Sequence, residues 1–119
     1  MLSIRDWLLA IHPESRVKLN WYLKWYPNVV TDFHEIGTNS TYFFEPMKPN
    51  GSKDPIMPEA NYTTLNDTFA QYYVEALDGL GALYFSKEVF DGTYPGYGSS
   101  YPDLQGGLGI LFEQSSSRG

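Results

Sequence analysis

The sequence predicts an α/β fold, and three observations carry that prediction. A helical stretch headed by proline runs straight into a short β-branched apolar run; a second stretch repeats apolar residues at helical spacing; and an uninterrupted apolar run, "LGILFEQ", stands near the end of the chain.

The elements follow in order. Pro13-Glu14-Ser15 after His12 is a helix start, because proline suits the first helical position and an early glutamate complements the helix dipole. The spacing predicts a helix over 13–25, with Val17, Trp21 and Trp25 on one apolar face that Leu19, Tyr22 and Leu23 widen. Pro27 biases Tyr26 out of helical geometry and ends it. Val29 to Phe33 then reads as a strand buried on both faces. Residues 37–57 have no period and read as a long loop, with a short strand inside "STYFFEP". Pro58 and Glu59 open a second helix, in which Leu65, Phe69, Tyr72, Ala76 and Leu80 recur at helical spacing before Gly79 and Gly81 end it. Residues 90–107 are Gly, Tyr, Pro and Ser punctuation, expected as a mobile aromatic loop, and "LGILFEQ" is the strongest strand signal.

Two strands expected to be buried on both faces need neighbours, and a two-stranded sheet is rarely stable alone. The expectation is therefore one partial domain spanning 1–119.

Composition narrows the function. The chain is 42% apolar and 17% aromatic, as suits a folded protein. Fourteen acidic against eight basic residues give a net charge of −6 without a basic run, which argues against nucleic acid as partner. "MLSIRDWLLAIH" carries Arg5 and Asp6 and has no cleavage site behind it, so neither a signal peptide nor a membrane span is expected. The absence of cysteine excludes disulfides and thiolate metal ligands and leaves the redox compartment open. The Asn-x-Ser/Thr triplets at Asn39, Asn61 and Asn66 are expected to be coincidental in so Asn- and Thr-rich a chain.

Two residues stand out chemically. His34 ends the first predicted strand, where ligands gather in open α/β sheets, and alternation puts Asp32 on the same face, with Thr31 and Phe33 on the other. The alternative use of His34 is a hydrogen-bonded strand end, and Glu35 suits a loop cap as well as a ligand. Glu113 emerges at the end of "LGILF", where poor solvation would raise its proton affinity and prepare it as a general base or acid. Its alternative is an ion pair with Arg118. His12 reads as structural. Catalytic zinc usually has three protein ligands and an open position, and the chain contains no His-x-x-Glu, His-Glu-x-x-His or paired-Cys pattern to complete them.

Taken together, "HPESRVKLNWYLKWYPNVVTDFHEIGTNSTYFFEP" and "YGSSYPDLQGGLGILFEQSSSRG" resemble the later half of zinc carboxypeptidases of the M14 (carboxypeptidase A-like) family, in particular its large bacterial members with "DFHE-x-G" and "ILFEQ-x-SSRG" segments. The resemblance spans nearly the whole chain. It implies a three-layer α/β/α fold with a mixed central sheet and a Zn2+ cofactor. His34 matches the family's later zinc ligand, and Glu113 its general base. Tyr94 matches the tyrosine of the loop that closes over substrate, with Tyr97 as the alternative, and Glu14 matches a structural helix start.

The resemblance implies a metallocarboxypeptidase that removes C-terminal residues from a peptide substrate, with no nucleic acid or membrane partner and a periplasmic or secreted setting for the longer parent. The family's His-x-x-Glu pair, its substrate-carboxylate arginine and its Asn-Arg segment are expected in a missing N-terminal part of the same domain. Arg16 and Arg118 match no motif that would fill the arginine role, and the 119-residue chain alone is expected to be inactive. Two other readings compete: a zinc amidase or deacylase on the same fold, and a non-catalytic module binding peptide or glycan through aromatic loops at 42–44 and 94–101.

Overall fold

A computed structural model describes residues 2–117. Pro13 and an extended His12 start helix α1, Pro13–Trp25, and Tyr26 ends it in left-handed geometry, its N–H donating to the Tyr22 carbonyl at 2.7 Å. Pro27 follows and prevents continuation. The chain then enters strand β1, Val29–Ile36, and after a turn strand β2, Tyr42–Phe44. Helix α2, Asp67–Leu80, is preceded by a wider helical turn at Asn61–Asn66 and closed by Gly81, whose positive φ of 66° is one that a side chain would resist. Short strand β3, Tyr84–Phe85, and strand β4, Leu108–Ser115, complete the elements. No helix among the described residues is long and apolar enough to cross a membrane.

The four strands form one mixed sheet in the order β1-β4-β2-β3. β4 runs parallel to β1 and antiparallel to β2, and β3 lies parallel to β2. Because side chains alternate across a strand, β4 feeds two different cores. Leu108, Ile110 and Phe112, with Phe44, pack under Phe69, Tyr73 and Leu77 of α2. Leu111, with Phe43 and Met47, packs on the opposite face against Tyr62, Phe85 and Phe90.

The expected central strand at residues 29–33 is instead an edge strand. Exposure alternates along β1, and Phe33 is 69% exposed even though its ring stacks on Phe112 at 5.0 Å. β4 takes the middle of the sheet, and no strand among the described residues covers the other side of β1. The short strand read inside "STYFFEP" is β2, and the sheet gains one further strand beyond those expected, because two-residue β3 is too short to leave a periodic signal.

Both helices also bury a different face from the one expected. In α1, Val17, Trp21 and Trp25 are exposed, while Ser15 and Tyr22 are buried. Tyr22 is held edge-on to Trp7 and Tyr101, each at 5.7 Å, so packing against Trp7 decides the orientation of the helix. In α2, Leu65 just before the helix and Tyr72, Ala76 and Leu80 within it are exposed. The sheet takes Phe69, Ala70, Tyr73, Val74 and Leu77, a stripe roughly a quarter turn round. Helix α2 carries two overlapping apolar stripes, and its period alone does not select between them.

Candidate active site

The parallel pairing of β1 with β4 sets His34 directly opposite Glu113, and Asp32 opposite Leu111. All four residues point to the sheet face away from α2, with Asp32 and Leu111 at mid-strand and His34 and Glu113 two residues before the carboxyl ends, near which open α/β sheets bind ligands. β1 runs on to Ile36, so His34 lies within the strand, which does not end at Phe33 as expected. Asp32 Oδ1 lies 2.9 Å from His34 Nε2, so the ring N–H donates to the carboxylate. Thr31 and Phe33 are exposed on the other face, as the alternation predicts.

Glu113 is 7% exposed. Burial raises its pKa above the ordinary carboxylate value; His34 opposes that shift, and Asp32 adds to it. A carboxyl in this setting holds a proton more readily than one in water, a property that general acid–base chemistry draws on.

The three side chains line a cavity of about 650 Å³. Its other walls come from three segments: Ile4 and Arg5 near the N-terminus, Val89, Phe90 and Asp91 after β3, and Tyr97 and Ser99 in the loop before β4. Two close approaches seat that loop. A Cβ on Gly109 would lie 1.9 Å from the Ser99 carbonyl oxygen, and one on Gly98 would lie 2.6 Å from Asp32 Oδ2. Glycine is what lets the loop backbone rest directly on the strand and on the carboxylate.

The N-terminal segment is tied to the same loop, since the Trp7 N–H donates to the Gly96 carbonyl at 3.2 Å and the Arg5 guanidinium sits 5.7 Å from the centre of the Tyr97 ring. Sequence reasoning missed Arg5 as a site residue. Its one signal, a cation inside an apolar stretch, bears on membrane insertion and not on the cavity. Tyr97 lines the cavity, whereas Tyr94 meets Tyr97 edge-on at 5.4 Å and supports it from behind. Glu35 is exposed at the cavity margin and accepts a bond from Ser116 Oγ at 3.1 Å. Arg118, the candidate ion-pair partner of Glu113, lies outside the described residues.

Other expectations resolve around the site. The rings at 42–44 do not form a binding loop: they belong to β2, and Phe43 and Phe44 are fully buried in the two cores. Asn61 and Asn66 are buried too, their amides donating to Asp103 Oδ1 at 2.7 Å and to Glu45 Oε2 at 3.0 Å, which leaves no room for a glycan. Tyr101, in the second aromatic stretch, packs under Trp7 and Tyr22.

Among the described residues no group of three His, Cys, Asp or Glu side chains is close enough to hold a metal ion. Catalytic zinc usually takes three protein ligands, and His34 is the one histidine among the described residues that line the cavity. Compared with family models, curated proteins and solved structures, the chain matches none of them.

Proposed function

We propose that this chain forms the floor of the active site of a zinc-dependent metallocarboxypeptidase with a carboxypeptidase-like α/β/α fold. The observation that carries the reading is the in-register pair His34 and Glu113 near the carboxyl ends of β1 and β4, beneath a cavity large enough for a peptide end. The motifs around both residues, which resemble those of zinc carboxypeptidases, support it from the sequence side.

In this reading His34 is one zinc ligand, and the others come from a segment outside the described residues. A zinc ion bound there would supply Lewis acidity and a water of lowered pKa. The remaining chemistry belongs to the chain. Glu113, largely buried, accepts the proton of the attacking water and passes it to the leaving amine. Arg5 is the one guanidinium on the described cavity wall, and it offers a fork that matches a peptide's terminal carboxylate. Phe90, Tyr97 and Leu111 give the apolar contact that a substrate side chain needs, and the Tyr94–Tyr97 loop covers it.

Two titrations of the isotope-labelled chain, followed by NMR, test the reading. Zinc should perturb the His34 ring before any other residue, and His34→Ala should abolish that response. An N-acetylated dipeptide with a free carboxylate should shift the resonances of Arg5, Tyr97 and Glu113, and its C-terminal amide should not. Zinc binding indifferent to His34, or equal binding of acid and amide, would overturn the reading.

A further inference from the structure

Asp32 is more elaborately held than a carboxylate on an edge strand requires. Its side chain is 24% exposed and that of His34 20%, so each is largely withdrawn from water. While Oδ1 accepts from His34 Nε2 at 2.9 Å, Oδ2 lies against Gly98, whose missing Cβ would sit 2.6 Å from it. The same absent Cβ would lie 2.8 Å from Trp7 Nε1, so Gly98 keeps the carboxylate and the indole close together. The Lys18 ammonium stands 4.3 Å from the Trp7 ring centre and interacts electrostatically with both Asp32 and Asp6. On the strand side, the charged or titratable groups facing this cluster are His34 and Glu113.

We propose that Asp32 is a positioning residue for His34: it receives the ring Nε2–H, fixes the plane of the imidazole, and leaves Nδ1 as the nitrogen whose lone pair is available to a ligand. Helix α1 takes part through Lys18, and the N-terminal segment through Trp7, so both elements hold the ring without touching it. The orientation of the ring stands on the hydrogen bond alone; its use by a metal rests on the function proposed above. A carboxylate that receives the outer N–H of a ligating histidine is a general means of fixing its tautomer and raising its basicity.

The test is a nitrogen–proton correlation spectrum of the imidazole of His34 in the whole 119-residue chain. The wild type should show a downfield ring proton coupled to Nε2 and protected from solvent exchange. In Asp32→Ala that proton should exchange about tenfold faster or more. Asp32→Asn should keep it, shifted upfield because the acceptor is neutral. Gly98→Ala, which displaces the carboxylate without altering either partner, should reproduce the loss. A proton on Nδ1, no protected Nε2–H in the wild type, or a signal that Asp32→Ala leaves unchanged would each overturn the proposal. The zinc titration reads separately: a protected Nε2–H on a ring that zinc ignores upholds the positioning role and removes the ligand role.

Discussion

Glu45 lies beside Leu111 as though its side chain were one more strand residue: its N–H donates to the Leu111 carbonyl at 3.3 Å, and its Oε1 accepts the Leu111 N–H at 2.9 Å. The β2–β4 ladder, which ends at the Phe44–Phe112 pair, is thereby carried onward by a carboxyl group. Oε2 accepts from Asn66 Nδ2 at 3.0 Å, which joins the strand to the start of α2, and Glu45 is only 3% exposed. Burial pushes its pKa well above the ordinary range, against the opposing hydrogen bonds of Leu111 and Asn66.

Glu45→Ala should therefore destabilise the fold strongly, since it strands the Leu111 amide and the Asn66 carboxamide at about 1–3 kcal/mol each. Glu45→Gln should stay within about 1 kcal/mol of the wild type. Its amide oxygen still accepts from Leu111, and its NH2 can donate to Asn66 Oδ1, a buried atom with no hydrogen-bond partner. Urea unfolding of the two variants measures both effects. A Gln variant as unstable as the Ala variant would show that the buried carboxyl contributes through its charge.

A second buried carboxyl gives stability a pH dependence of unusual sign. Burial raises Asp103 from 3.8 to about 6, although Asn61 Nδ2 and the Gly109 N–H both donate to Oδ1 and oppose the shift. The native carboxyl then holds its proton more tightly than the unfolded one. That contribution is fully present below about pH 4 and lost as pH rises through about 6, a change of about 3 kcal/mol. Glu45 and Glu113, both raised by burial, act in the same direction. Asp6 acts oppositely: the His12 and Ile11 amides hold it down to about 2, so its contribution is lost as pH falls from 3.8 toward that value. The unfolding free energy should peak near pH 4 and decline toward pH 7, and Asp103→Asn should flatten the decline. Denaturant unfolding across that range settles it, and a wild type that gains stability up to pH 7 would refute the assignment.

How far the site was legible in the sequence depends on how local each signal is. The shared face of His34 and Asp32 and the burial of Glu113 were legible because each needs only a strand's alternation, and β1 and β4 cover "VVTDFHE" and "LGILFEQ", although β1 runs on to Ile36, past the end read at Phe33. Arg5 and Tyr97 were harder, because the wall they form depends on the contact between Trp7 and Gly96, nearly 90 residues apart in the chain. The packed faces of both helices were misread for a related reason. Amphipathic period shows that a stripe exists, but the neighbour decides which stripe is buried, and neither Trp7 under α1 nor the exact sheet face under α2 is a local property.

Gly109→Ala tests whether loop contact shapes the cavity. The new methyl would meet backbone, the Ser99 carbonyl at 1.9 Å, and no side-chain rotation relieves that. The loop must lift away from β4, at a cost of about 1–3 kcal/mol or more. Ser99 and Tyr97 line the cavity, so its wall moves with them. Amide exchange should quicken at Ser100 and Asp103, whose N–H groups bond within the loop to the Tyr97 and Ser100 carbonyls. It should stay slow in α2. Uniform quickening throughout would mean global destabilisation and no local lift.

Trp21 and Trp25 supply the last prediction. They are 57% and 66% exposed on α1, beside Val17 at 69% and Leu23 at 54%, an accumulation of apolar surface that soluble proteins seldom leave uncovered. Neither indole makes a ring contact in the packed aromatic group of Trp7, Tyr22 and Tyr101, so neither holds the fold together. Trp21→Lys with Trp25→Lys should change the unfolding free energy by no more than about 0.5 kcal/mol per site. Sedimentation should show a smaller tendency to self-associate, and the remaining fluorescence, from Trp7 at 8% exposure, should resist quenching by iodide. A large loss of stability in the double variant would instead place the two indoles in the core, where the four-residue period of α1 alone would put them.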